Sequence, residues 1–195
     1  ILLPFFITAV LAANSYAAGK IVTYSAEGGV YEGYYSSSKE GAPLLLLIHD
    51  WDGLTDYEMK RADMLADLGY SVFAADLFGK GVRPTEVKDK KQHTGELYKD
   101  RKKMRSLLRA AFDEGVKLGG DGSNSAAFGY CFGGAAVLDM ARTGADAKAF
   151  ITFHGGLSTP EGQDYSKTAG SVVVFHGTAD TAITMADFAS LAAEL

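Results

Sequence analysis

Continuous apolar runs separated by amphipathic segments constrain the fold of this chain more than any other feature. Pro43 to Ile48 and Tyr70 to Ala75 are apolar at nearly every position, which is typical of strands buried on both faces of a parallel sheet. Further strands are predicted at 125–128, 148–153 and 171–176, and an opening hairpin over 21–35. Because helical patterns lie between these runs, we expect a mostly parallel sheet with helices on both faces.

The helices are located by capping signals and by the spacing of apolar residues. Thr55-Asp56-Tyr57-Glu58 fits a capping box and predicts a helix that ends near Gly69. One long helix is predicted over about 93–118, with the basic stretch at 99–103 as its solvated face. The last helix is predicted to begin near Thr184. A length of 195 residues with 47% hydrophobic content suits one domain with a sizeable core.

The first eighteen residues differ in character from the rest of the chain. Ile1 to Ala13 is apolar apart from Thr8, and Ser15-Tyr16-Ala17 offers a small-residue cleavage site. These features are typical of a secretory signal peptide. We therefore expect residues 1–18 to be part of a signal, residues 19–195 to form the folded domain, and the protein to be periplasmic or secreted. An apolar run of about thirteen residues is short for a bilayer, so no stable membrane span is expected after cleavage; an uncleaved anchor is the alternative.

Charge and histidine spacing bear on two classes of function. A net charge of -5, with no extended basic run, argues against nucleic acid as a partner. The four histidines show no H-x-x-x-H spacing, and each has an ordinary explanation as a loop residue. We therefore expect neither a metal site nor a cofactor.

Residues 129–134, Gly-Tyr-Cys-Phe-Gly-Gly, lie between a predicted strand and a predicted helix and contain the only cysteine. This pattern is typical of a nucleophile elbow, a tight turn that raises its central side chain above the sheet. Cys131 is therefore the candidate nucleophile for acyl transfer, and the helix N-terminus is expected to lower its thiol pKa. The N–H of Phe132 is a candidate oxyanion donor. A buried structural cysteine is the alternative.

Polar residues follow other predicted strands, where open α/β sheets gather their chemistry. Asp180 follows a strand after the nucleophile, as a triad acid does, although a turn aspartate is the alternative. The N–H of Trp51 is the candidate for the second oxyanion donor. Asp50 is expected to influence the ionisation of the thiol. The alternatives are a solvated loop residue for Asp50 and a plain pocket wall for Trp51.

Together these segments resemble the dienelactone hydrolase family of α/β-hydrolases over roughly residues 30–190. The similar segments are I-H-D-W-D-G-L (48–54), G-Y-S-V-F-A-A-D-L-F-G-K-G (69–81), G-Y-C-F-G-G-A (129–135), F-H-G-G-L (153–157) and H-G-T-A-D (176–180). The resemblance implies an α/β-hydrolase fold, with Cys131 as nucleophile and Asp180 as triad acid. It also implies that Asp50 stands where well-known members carry a thiol-pairing Glu. Lys80 or Arg83 falls near the family's basic position for a substrate carboxylate.

The family order is nucleophile, acid, then histidine, and no histidine follows Asp180 in this sequence. We therefore expect the domain to be incomplete at its C-terminal end, with the histidine roughly 25–40 residues beyond Asp180. The predicted function is hydrolysis of a small-molecule ester or lactone by a Cys-Asp-His triad. A non-catalytic secreted protein that binds small carboxylates is the alternative. A thiol redox role ranks last, because the chain has no second cysteine.

Overall fold

The structure is a computed structural model, and it describes residues 19–195; the predicted signal segment, residues 1–18, lies outside the described residues. The strands are β1 (Lys20–Ala26), β2 (Gly29–Ser37), β3 (Pro43–Ile48), β4 (Ser71–Ala75), β5 (Asp121–Tyr130), β6 (Ala149–Phe153) and β7 (Ser171–Phe175). The helices are α1 (Asp56–Asp67), α2 (Val87–Lys99), α3 (Arg101–Lys117), α4 (Phe132–Arg142) and α5 (Met185–Glu194).

All of these strands form one mixed sheet in the order β1-β2-β4-β3-β5-β6-β7. β2 is antiparallel to β1 and to β4, and every later neighbour pair is parallel. On one face, buried residues of β3 and β4 pack with α1; on the other, a larger core joins β3 to α3 and α4. The predicted α/β class, with a mostly parallel sheet and helices on both faces, is confirmed.

Local signals placed several helices correctly. The capping box at Thr55 is present, with the Glu58 carboxylate accepting a hydrogen bond from the Thr55 N–H at 2.8 Å. Thr184 caps α5 in the same reciprocal way with Asp187. These short-range bonds depend only on neighbouring residues, so they can be predicted from the sequence.

Among the described residues, no helix combines the length and apolar character needed to cross a membrane.

The prediction of one helix over 93–118 is wrong, because Asp100 divides it into α2 and α3. Asp100 leaves the helical conformation, with φ −111° and ψ 72°, and its side chain accepts a hydrogen bond from the Lys103 N–H at 2.9 Å. A side-chain carboxylate that caps a new helix competes with continuation of the old one. The spacing of apolar residues, on which the prediction of a single helix rests, does not indicate that Asp100 caps a new helix.

The prediction that 99–103 forms a solvated face is also wrong for Arg101. Arg101 forms an ion pair with Asp139 of α4, whose side chain is fully buried. Arg105 donates to the same carboxylate at 2.6 Å, and Arg142 lies 3.4 Å from it. Arg142 also donates to the hydroxyl of Tyr165 at 2.8 Å. This cluster fastens α3 and the loop after β6 to α4, the helix that follows the elbow.

Replacing Asp139 with Ala is expected to lower the free energy of unfolding by about 3–5 kcal/mol, because three arginines would lose a buried counter-charge. Urea unfolding followed by circular dichroism measures this loss. The matched control is Asp113→Ala, which removes an exposed partner of Arg109 on α3 and should cost less than about 1 kcal/mol. Equal losses in the two variants would contradict the structural role of Asp139.

Candidate active site

Cys131 occupies a strained turn between β5 and α4. Its φ is 51° and its ψ −110°, a conformation that non-glycine residues rarely adopt, and it is the N-cap residue of α4. The Cys131 N–H donates to the carbonyl of Phe153 at 2.9 Å, which ties the turn to the end of β6. Such strain costs of order 1–3 kcal/mol and persists only where the surroundings enforce it. The strand–turn–helix geometry predicted for the elbow is therefore present.

Close packing of the first turn of α4 against β3 enforces this conformation. A Cβ atom on Gly133 would overlap the carbonyl oxygens of His49 and Ile48, and one on Gly129 would overlap the backbone of Gly133. Any side chain at either position would push α4 away from the sheet. The glycines of the motif are thus required by backbone contact.

The thiol of Cys131 is partly buried in an acidic environment. Burial raises its pKa above the ordinary value; the Phe132 N–H favours the thiolate, but the nearby charges of Asp50 and Asp180 raise the pKa further. The expectation of a lowered thiol pKa is therefore wrong. Desolvation and carboxylate repulsion outweigh the helix N-terminus. The sequence showed the helix, but it did not show how many carboxylates surround the sulfur.

The loop after β3 brings Asp50 and Trp51 to the same edge of the sheet. The Asp50 carboxylate accepts a hydrogen bond from the Asp52 N–H at 2.7 Å, and burial raises the pKa of Asp50. Lys90 of α2 forms an ion pair with Asp52 at 2.5 Å, and its ammonium lies 5.3 Å from the centroid of the Trp51 ring. The Asp50 charge acts on Cys131, so the loop lies beside the thiol. A thiol-modulating role for Asp50 and an oxyanion role for the Trp51 N–H stay predictions.

Asp180 contacts a histidine that the sequence analysis left without a catalytic role. One oxygen of Asp180 accepts hydrogen bonds from the N–H groups of Ala182 and Ile183, at 2.8 and 3.0 Å. Its other oxygen lies 2.5 Å from Nδ1 of His154. The two N–H groups, followed by His154, hold the pKa of Asp180 below its usual value.

His154 directly follows β6, and its φ of 55° is positive. His154 could have been identified as a site residue from its position after a parallel strand, because the same edge of the sheet carries Cys131 and Asp180. Within residues 19–195, no cluster of three or more His, Cys, Asp and Glu side chains could hold a metal ion.

Lys80 and Arg83, the predicted residues for a substrate carboxylate, have acidic partners. Arg83 lies 3.4 Å from Glu32 and 3.7 Å from Asp76, and Lys80 lies 3.7 Å from Glu32. Asp76 is buried, which raises its pKa to about 6. Arg83 and Glu32 line a cleft of about 500 Å³ together with Leu54. The charge of both cations is thus partly compensated, and their role in substrate binding stays a prediction.

Comparison with known proteins gives a consistent set of similarities. The model of the Dienelactone hydrolase family matches residues 31–195. The solved structure named m3DLH is similar with a TM-score of 0.85 at 31% sequence identity, covering 90% of this chain and 75% of that chain. A dienelactone hydrolase-like promiscuous phosphotriesterase from metagenomic libraries is 32% identical with a TM-score of 0.83, again over 90% of this chain and 75% of that one. Esterase 2 of Thermogutta terrifontis shares the fold, with a TM-score of 0.62 at 16% identity over 92% of this chain and 79% of its own. No curated protein matches the chain.

Replacing Asp50 with Asn is expected to lower the pKa of Cys131, because a negative charge beside the thiolate is removed while the side-chain oxygen still accepts from Asp52. The pH dependence of alkylation by iodoacetamide measures this pKa. The matched control, Asp67→Asn, neutralises an exposed carboxylate at the end of α1 and should leave the alkylation profile unchanged. An unchanged profile in the Asp50 variant would show that Asp50 does not modulate the thiol.

Proposed function

Because the chain belongs to the dienelactone hydrolase family, we propose that it hydrolyses small esters or lactones with Cys131 as the nucleophile. The resemblance noted in the sequence is confirmed by the match over residues 31–195. The observation that carries the proposal is the strained backbone of Cys131 at the junction of β5 and α4. Strain of this kind has a use where a side chain must be presented to a substrate.

In the proposed reaction, a histidine takes the thiol proton of Cys131 as Sγ attacks the substrate carbonyl carbon. The histidine becomes a histidinium and the carbonyl oxygen becomes an oxyanion. The N–H groups of Phe132 and Trp51 stabilise that charge. When the intermediate collapses, the carbon–oxygen bond to the leaving alkoxide breaks and a histidinium gives the alkoxide a proton. A water deprotonated by the same histidine then attacks the thioester, which releases the acid and restores the thiol.

The raised pKa of Cys131 makes the proton acceptor essential to this scheme. A thiol that is neutral at rest must lose its proton during the attack, so a base has to be within reach of Sγ. We propose that Asp180 orients this base and that it is the histidine which triad order places roughly 25–40 residues beyond Asp180. Within residues 19–195, no hydrogen bond joins His154 to Sγ, although His154 contacts the acid.

Replacing Cys131 with Ala in the full chain is expected to lower kcat for p-nitrophenyl acetate on the order of 10⁴-fold or more. Mass spectrometry of the wild type should show a transient acetyl group on Cys131, and this group should be missing from the variant. Gly156→Ala is a suitable control, because its added Cβ would make an ordinary contact with Ala135 beside the elbow. Full activity of the Cys131 variant would refute the proposal. A wild type that binds small carboxylates without turnover would support the non-catalytic alternative.

Replacing His154 with Gln is expected to lower kcat less than about tenfold, because the proposed base is another histidine. Loss of a general base typically costs 10²–10⁴-fold, so a decrease of about 10³-fold would instead assign that role to His154. Steady-state hydrolysis of p-nitrophenyl acetate across pH 5 to 9 measures the difference. Loss of the base would also remove from the pH–rate profile the inflection that its titration causes.

A further inference from the structure

His49 is a fully buried titratable residue beside the proposed site, and the reaction scheme does not use it. Its Nδ1 lies 2.5 Å from the carbonyl oxygen of Asp50, and its Nε2 lies 3.1 Å from the backbone nitrogen of Leu77. A backbone N–H can only donate, so Nε2 accepts from Leu77 and the ring proton resides on Nδ1. Burial lowers the pKa of His49 to about 4, so the ring is neutral at neutral pH. Nδ1–H therefore donates to the Asp50 carbonyl.

This hydrogen bond acts on the peptide group that carries the proposed second oxyanion donor. The carbonyl of Asp50 and the N–H of Trp51 belong to one peptide unit, and the described peptide bonds include no cis bond. In a trans peptide the C=O and N–H bonds point in opposite directions within one plane. Holding the Asp50 oxygen therefore fixes the direction of the Trp51 N–H. Among the described residues, the Trp51 N–H donates to no protein acceptor.

The same histidine contacts the element that supplies the first oxyanion donor. Its ring centroid lies 5.9 Å from that of Phe132 in a stacked arrangement, and 4.6 Å from that of Phe78. The His49 carbonyl oxygen closely contacts Gly133, in the first turn of α4. His49 thus links the loop after β3, the loop after β4 and the start of α4. His49 therefore bonds the peptide of one proposed donor and contacts the side chain of the residue that carries the other.

We propose that His49 is a positioning residue for the oxyanion hole: its Nδ1–H holds the Asp50 carbonyl and thereby aims the Trp51 N–H at the substrate carbonyl oxygen over Cys131. The inference rests on the proposed cysteine hydrolase function and adds the side chain that sets the geometry of its second donor. A donor aligned before reaction stabilises developing charge without reorganisation. Release of the Asp50 carbonyl would let this peptide rotate and would weaken that stabilisation.

Two amide variants of similar size separate the positioning role from a structural one. In His49→Asn the side-chain amide can occupy the place of Nδ1 and donate to Asp50, but it does not reach Leu77. In His49→Gln the longer amide can accept from Leu77, but it places no donor at Asp50. We expect kcat for p-nitrophenyl acetate to fall about 10- to 100-fold in the Gln variant, with little change in KM, and less than about threefold in the Asn variant. Both variants should lose a similar amount in Tm.

Equal losses of kcat in the two variants, in step with their stability, would show that His49 is only structural and would overturn the inference. Cys131→Ala is measured in parallel: if it stays active, the proposed function itself fails, whatever the His49 variants do. A long-range ¹H–¹⁵N spectrum of the wild type provides a test that does not depend on the variants folding. The Nδ1–H tautomer is expected, and an Nε2–H tautomer would overturn the inference.

Discussion

The contact between Gly133 and the carbonyl oxygens at the end of β3 is the constraint on which the rest of the site depends. Because no Cβ intervenes, the first turn of α4 lies directly against Ile48 and His49. This approach forces the turn at Cys131 into a positive φ and brings the loop after β3 beside the thiol. The elbow and the loop are therefore one packed unit. A change that moves either of them alters the position of Sγ of Cys131 relative to both proposed oxyanion donors.

Electrostatics around this unit favour a neutral thiol at rest. Burial and the charges of Asp50 and Asp180 raise the pKa of Cys131 despite the helix N-terminus behind it. A neutral thiol is a weak nucleophile and also a poor target for oxidants. In the mechanism we propose, the thiol becomes a nucleophile only when a base oriented by Asp180 accepts its proton.

Buried carboxylates paired with arginines support the site from two sides. Asp139 fastens α3 and the loop after β6 to α4, while Asp76 is bonded to the backbone of its own loop and lies near Arg83. The Asp139 cluster joins segments that are distant in sequence, whereas Asp76 and Arg83 lie within one loop. Arg101 lies in a basic stretch that is typical of a solvated helix face. Nothing in its immediate neighbours indicates that its partner is Asp139, a buried residue thirty-eight positions later. Ion pairs of this kind become visible only when helix packing brings the partners together.

The sequence by itself determined the class of fold, most element positions and the elbow, because apolar runs, capping boxes and glycines at a tight turn act through neighbouring residues. It also indicated Cys131 and Asp180, since the ends of parallel strands meet at one edge of a sheet. Only the tertiary structure decided which groups share that edge at bonding distance. The His154–Asp180 contact, the break at Asp100, the direction of the thiol pKa shift and the two hydrogen bonds of His49 are examples. Apart from the break and the bond from His49 to the adjacent Asp50, each arises between segments joined by packing. Burial also changes the energy of a charge by amounts that the local sequence does not reveal.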